Sequence, residues 1–312
     1  MKIFLAGAEQ KKWLNEVLLK SWCKNFLLSY FYLWWRPEKQ TLEILESVRK
    51  QAELMFLDSG AHTFLAANDL KVSSVKWNKS KLPDPHTYME NYKNWLVKYW
   101  HYFDIVAELD IWEVPSVWYD TVKKWRKDLD FLGDKLLVVS HHNFFRKIFP
   151  KRTDEYERLL NEYKYVAIWD EPDQTVLNNY FYIWKKVWKN TRIHWFAETK
   201  VEKVWGYPYF SVDSTTWNIW SLYWTFLIFD EKEKKMKSFV TKWLRTSSKE
   251  FQKMKDYLSK NLEYVCPSVK STWMENMLKY EGWLLRDRQN VFAMIRMQEY
   301  ATYIWNCRGV KF

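Results

Sequence analysis

Short β-rich runs alternate with longer amphipathic runs over the first two-thirds of the 312-residue chain, and this alternation constrains the fold more than any other feature. The strand candidates are residues 2–6, 54–59, 105–111, 136–141, 165–169, 192–196 and 209–213, with an eighth read at 223–229. Between them, apolar residues at three and four spacing predict helices over 14–33, 88–102, 117–131, 156–163 and 176–188. Eight strands with intervening helices favour an α/β chain closed as a (β/α)8 TIM-type barrel. An open doubly wound sheet stays as the alternative, because one sequence does not carry strand order.

Residues 224–240 run apolar, charged and apolar again, with Asp230-Glu231-Lys232-Glu233-Lys234-Lys235 in the middle, which predicts a hairpin with a solvent-facing turn. Two helices are expected after it, over 247–262 and 272–306, separated by Pro267. The expected organisation is one domain. A barrel occupies 1–230, and the hairpin and C-terminal helices of 231–312 pack on it. Six glycines and no repeat leave no evident linker.

Hydrophobic residues make up 48% of the chain and aromatics 20%, which supplies ample apolar surface and excludes a disordered chain. No apolar run approaches the length of a membrane span, and residues 1–8 meet Glu9, Gln10, Lys11 and Lys12 too early for a secretory signal. A cytoplasmic protein with no membrane partner is therefore expected. Cys23, Cys266 and Cys307 are odd in number and far apart, which suits reduced thiols better than a disulfide framework or a thiolate zinc site.

The formal charge of +11 attracts polyanions, nucleic acid foremost, although a lysine-rich surface also serves solubility alone. Of the 22 tryptophans, several adjoin cations, as in Trp34-Trp35-Arg36, Trp184-Lys185-Lys186 and Trp188-Lys189. Such pairs can stack bases beside phosphate. At the helical spacing of Trp184 and Trp188, core packing is the favoured reading.

The chemistry-bearing residues gather at strand ends: Asp58-Ser59-Gly60, Glu108 and Asp110, His141-His142, Asp170-Glu171, Glu198 and Asp213-Ser214. In a parallel barrel all these ends open on one rim, where barrel enzymes hold their active sites. Singly, each Asp or Ser is better read as a turn or helix cap. Six strand ends together point to an acidic pocket whose carboxylates divide acid and nucleophile roles. On a basic protein, that arrangement suits a polyanion held by its backbone while one base is presented to the carboxylates.

Adjacent histidines on a strand point to opposite faces, so one at most of His141 and His142 faces such a pocket. His194, in mid-strand, reads equally as a core histidine. With no HExxH and no paired CxxC, neither a metal nor a cofactor is expected, and phosphate-binding loops, dinucleotide fingerprints and GxSxG elbows are missing from the sequence.

Phe56-Leu57-Asp58-Ser59-Gly60-Ala61, Glu108-Leu109-Asp110, Tyr163-Lys164-Tyr165-Val166-Ala167-Ile168, Ile193-His194 and Tyr207-Pro208-Tyr209-Phe210-Ser211-Val212-Asp213-Ser214-Thr215-Thr216-Trp217 together resemble the barrel of guanine transglycosylases over about the first 225 residues. The likeness is greatest to the phage and bacterial branch that places 7-deazaguanine bases in DNA, related to the queuine tRNA-ribosyltransferases. The resemblance implies Asp213 as nucleophile at C1′ and Asp58 as acid/base. Asp110 would accept from the base edge, with Ser59, Gly60, His62, Glu108, His141, Asp170, His194 and Ser214 lining the substrate. The chain departs from the pattern at Ala61-His62-Thr63-Phe64, at Trp169-Asp170-Glu171 and at Trp195-Phe196-Ala197, where glycines are expected.

The tRNA enzymes carry a cysteine-rich zinc motif toward the C-terminus, and here only Cys266 and Cys307 lie in that region, so DNA is favoured over tRNA as the polymer. The implied partners are DNA and a 7-deazaguanine base in the cytoplasm, the host's if a phage encodes the chain, with room for a protein that reads the target sequence. Two other readings remain: a barrel that binds nucleic acid without turnover, and a hydrolase of small nucleosides or glycosides using the same carboxylates.

Overall fold

The computed structural model describes residues 1–68, 82–111, 117–141, 154–169, 174–187, 190–198, 200–242, 244, 247–270, 276 and 282–311. In chain order the elements are β1 (Lys2–Ala6), α1 (Lys12–Lys20), β2 (Asn25–Ser29), α2 (Tyr30–Leu33), α3 (Glu38–Arg49), β3 (Leu54–Asp58), α4 (Ala61–Asn68), α5 (Pro85–Tyr99) and β4 (Ile105–Ala107). There follow α6 (Tyr119–Asp128), β5 (Leu136–His141), α7 (Asp154–Glu162), β6 (Tyr165–Trp169), α8 (Gln174–Val187), β7 (Arg192–Trp195), α9 (Val201–Gly206), β8 (Ser211–Ser214) and α10 (Thr216–Leu222). The chain ends with β9 (Thr225–Asp230), β10 (Lys235–Val240), α11 (Lys249–Lys260), α12 (Pro267–Lys270) and α13 (Trp283–Cys307).

Strands β1 to β8 close into a barrel in sequence order, a (β/α)8 architecture. The paired registers are parallel, from Lys2↔Ser211 on β1 and β8 to Tyr165↔Arg192 on β6 and β7. Both faces of these strands are covered, and β5 is buried at every position, as parallel strands between a barrel interior and a helix layer require. No described helix is long and apolar enough to cross a membrane.

Two expectations are corrected. Residues 14–33 are not one helix: α1 stops at Lys20, Trp22 turns the chain with φ 60°, and residues 25–29 form β2 before the short α2. Asn25-Phe26-Leu27-Leu28-Ser29 is buried on both faces, and a short apolar run with no β-branched residue carries no period to separate it from helix. This strand, not residues 223–229, completes the barrel. Residues 225–230 instead pair antiparallel with 235–240, the hairpin expected from the charged turn between them. Smaller differences are that β4 stops at Ala107, β8 runs 211–214, and Pro267 begins α12 rather than merely interrupting the chain. Residues 271–275 and 277–281 of the last expected helix lie outside the described residues.

The chain divides into two compact units, 26–196 and 1–25 with 197–312. In the first, α3 and α5 bury apolar stripes, Thr41, Leu45 and Val48 on α3 and Tyr88, Met89, Tyr92, Leu96 and Tyr99 on α5. Asp84 caps α5, accepting from His86 N and Thr87 N at 3.0 and 3.1 Å, with Pro85 at the first helical position. Trp184 donates from Nε1 to Thr191 O at 2.9 Å, which fits the packing reading, while Trp188 and Lys189 lie outside the described residues. Trp35 is half exposed, and the Arg36 guanidinium lies 5.1 Å from its ring centroid.

In the second unit the hairpin is fastened to α13 by two buried amides. Asn290 Oδ1 accepts from Leu227 N at 2.6 Å, and its Nδ2 donates to Trp217 O at 2.8 Å. Gln289 accepts from Cys266 N at 2.8 Å and donates to Leu227 O at 3.0 Å. These amides satisfy backbone groups of β9 that no further strand pairs. At the hairpin turn, Asp230 accepts from Lys232 N, Glu233 N, Lys237 Nζ and Tyr257 Oη. Burial opposes its charge, but these donors outweigh it and hold the carboxyl at about 2.

Asp287 on α13 is the opposite case. It is 1% exposed, and burial raises its carboxyl to about 7 against the opposing influence of Ser221 and Arg286. A carboxyl raised in the folded state binds its proton more tightly there than in the unfolded chain. Its contribution to stability is complete below pH ~4 and lost as pH rises through about 7. Asp287→Asn, uncharged and of the same shape, is expected to match the parent's melting temperature near pH 4 and exceed it at pH 8. Thermal unfolding at the two pH values checks this, and equal melting temperatures at pH 8 would refute the assignment.

Candidate active site

The described strand-end residues fall into two sets, one in each unit. In residues 26–196, β3 ends on Asp58, whose Oδ2 accepts from Gly60 N at 3.0 Å. Gly60 has φ +80°, and a Cβ there would lie 2.6 Å from Phe31 Cβ and 2.8 Å from Tyr88 Oη. Glycine is thus required twice, for the left-handed backbone and for the space. Ser59 is buried, its hydroxyl has no hydrogen-bond partner among the described residues, and its carbonyl accepts from Tyr88 Oη at 3.0 Å.

Helix α5 supplies a second brace one turn along, where Tyr92 Oη donates to Ala107 O at 2.7 Å, the last residue of β4. Both phenols are raised well above their ordinary value, first by burial, then for Tyr92 by the field of Asp58, Tyr30, Asp110 and Glu108. The fields of three strand-end carboxylates thus act on one tyrosine. Tyr88 and Tyr92 read in the sequence only as helix-core aromatics.

After β4 the two acidic residues separate in role. Glu108 is 1% exposed and turned toward α6, where its Oε2 accepts from Arg126 Nε at 2.6 Å and its Oε1 from Arg126 Nη2 at 2.8 Å. The same Oε1 accepts from Val139 N at 2.6 Å, so a side chain continues the β4–β5 ladder where β4 has stopped. Burial opposes the Arg126 charge, yet attraction to Glu108 holds the guanidinium above its ordinary value. Asp110 meets His141 at the end of β5, with Nε2 and Oδ2 3.0 Å apart and both side chains nearly buried.

Beside these lies a cluster of flat rings. His194 is fully buried, its ring edge-on to Phe56 at 4.9 Å and to Phe196 at 4.6 Å. Trp169, at the end of β6, is 5.6 Å from Phe196 and 5.9 Å from the exposed His62. Residues Asp170, Glu171 and His142 lie outside the described residues.

In the other unit, Asp213 on β8 is 9% exposed and its Oδ1 accepts from Ala197 N at 2.8 Å. Ser214 Oγ accepts from Thr216 N at 2.9 Å, the local capping bond that serine offers at the start of α10. Glu198 is held in its own loop, with Oε1 accepting from Lys200 N at 2.7 Å and Oε2 3.1 Å from Lys203 Nζ. Among the described residues, no group of three or more His, Cys, Asp or Glu side chains could hold a metal ion.

Asp58 and Asp213 therefore share a design. Asp58 is the last residue of β3 and Asp213 the last but one of β8, and each has one oxygen bonded by the N–H of a residue with positive φ, Gly60 or Ala197. No protein-family model matches this chain, and no characterised protein matches it at a significant level.

Proposed function

We propose that the chain is a base-exchange transglycosylase that replaces guanine in nucleic acid, DNA in preference to tRNA, by a 7-deazaguanine derivative. The observation that carries the reading is the pair of backbone-anchored strand-end carboxylates, Asp58 and Asp213, in a parallel barrel. The partly exposed rings of His62, Trp169 and Phe196 in the unit that holds Asp58 support it, because flat aromatic faces suit a flat base. The net charge of +11 suits a phosphate backbone.

In this mechanism an oxygen of Asp213 attacks C1′ and the C1′–N bond breaks, its electron pair leaving with guanine. Asp58, as the carboxylic acid, protonates the departing ring, and the sugar remains esterified to Asp213. Asp58, now a carboxylate, takes the ring N–H proton of the incoming 7-deazaguanine. The ring nitrogen then attacks C1′ and releases the Asp213 carboxylate. Both acids return to their starting states, so the cycle is balanced without a cofactor. Asp110 orients the base by accepting from its N–H edge, and His141 fixes the plane of that carboxylate.

The test is to incubate the purified chain with radiolabelled guanine or a 7-deazaguanine and either duplex DNA or tRNA, and to count label retained in polymer. Label in DNA above tRNA is the expected result. No label in either polymer, with salt-dependent DNA binding retained, would favour the binding protein without turnover. Release of base from free nucleosides alone would favour the hydrolase.

A further inference from the structure

The backbone at Ala197 is strained. Its φ is +54°, a left-handed region that an L-residue with a Cβ rarely adopts. Such strain persists only where the surroundings over-determine it, and it gathers at functional sites. The chain leaving Ala197 is held on its far side, because Glu198 accepts from Lys200 N within the loop and pairs with Lys203 on the first turn of α9. Val201 and Val204 of the same helix are buried, which anchors that turn. The consequence of the left-handed kink is that one N–H leaves the path of the chain and points at Asp213 Oδ1, 2.8 Å away.

We propose that Ala197 is a positioning residue for Asp213, with the Glu198–Lys203 staple holding the strained backbone that aims its N–H. This rests on the reading of Asp213 as nucleophile. The hydrogen bond fixes rotation of the carboxylate about its last torsion, so the group meets C1′ in one orientation rather than many. The strain acts on the orientation of the attacking group and not on substrate binding, so its loss lowers kcat and leaves KM little changed.

Two measurements test it. The first is amide hydrogen exchange at Ala197, read by NMR or by mass spectrometry of short peptides, in the parent and in Asp213→Ala. Exchange at Ala197 at least ~10-fold faster in the variant, with other barrel amides unchanged, is expected if the N–H is committed to that carboxylate. Equal exchange in the two proteins would overturn the proposal, whether or not the chain exchanges bases. The second compares Ala197→Pro, which has no N–H, with Ala197→Gly, which keeps the N–H and accepts positive φ. Proline is expected to lower kcat on DNA by about 100-fold with KM within about 3-fold, and glycine to recover at least about 30-fold of that loss. Glycine and proline variants of equal activity would overturn it. A parent with no activity on either polymer would instead refute the functional reading, while the exchange measurement still decides the geometry.

Discussion

Asp213→Ala is expected to lower incorporation of labelled base into DNA by on the order of 10⁴-fold, the scale on which removal of a covalent nucleophile acts. The size follows from what Asp213 would do twice in each turnover: form the bond to C1′ and then leave it. Without it, exchange requires one direct displacement by the incoming base, with both bases in the site together. The variant should still bind DNA with the parent's salt dependence, because a polymer is held through its phosphates and Asp213 contributes no positive charge. Its β8 neighbours keep their parallel register with β1, so Phe4↔Asp213 is replaced by a smaller side chain in an intact ladder. Asp58→Asn removes proton transfer and keeps the nucleophile, with a smaller expected loss of about 10²- to 10⁴-fold. Denaturing electrophoresis of enzyme with DNA should reveal a covalent adduct in the parent and none in Asp213→Ala. Full incorporation by Asp213→Ala would end the mechanism.

The barrel was legible because its strands are short, apolar and separated by strong helical periods. Six of the seven main strand candidates overlap observed strands within two residues at each end; the seventh, 105–111, starts where β4 starts but overshoots it by four residues. The overshoot has a physical cause. Glu108-Leu109-Asp110-Ile111 alternates as a strand does, but beyond the bond from Glu108 N to Leu137 O the next donor of β5, Val139 N, is met by the Glu108 side chain instead of a backbone carbonyl. Strand β2 was illegible for a different reason: a run buried on both faces has no polar phase, so its period merges with that of α1.

The site divides in the same way. Asp58, Asp110 and Asp213 stand at strand ends, where chain order alone exposes them to a reader of the sequence. Their supports do not. Tyr88 and Tyr92 look like any aromatic pair on a helix face, and the hydroxyls that reach Ser59 O and Ala107 O depend on tertiary packing. Ala197 carries no side-chain chemistry, and its one sequence signal is its place in Trp195-Phe196-Ala197, where the resemblance leads one to expect a glycine; its contribution is a backbone N–H aimed by φ +54°. Arg126 stands among lysines and aspartates on α6, with nothing in its sequence neighbourhood to set it apart, yet it is 2% exposed.

Arg126→Met is expected to destabilise the folded chain by about 3–5 kcal/mol, the cost of leaving a buried charge without its partner. Glu108 would keep its bond from Val139 N and lose both guanidinium donors, in a place that water does not reach. The effect should spread to Asp110, two residues on, because β4 is three residues long and beyond it Glu108 pairs with β5 through both its backbone N–H and its side chain. Denaturant unfolding measures the first consequence, and the second appears as weaker base binding by protein that remains folded. The double variant Glu108→Gln with Arg126→Met separates charge from shape. It removes the uncompensated carboxylate while a side-chain oxygen still faces Val139 N, so it should be more stable than Arg126→Met alone. If the double variant were the less stable of the two, the pair would be acting through packing of the arginine stem against Tyr163, whose ring lies 5.7 Å from the guanidinium, and not through charge.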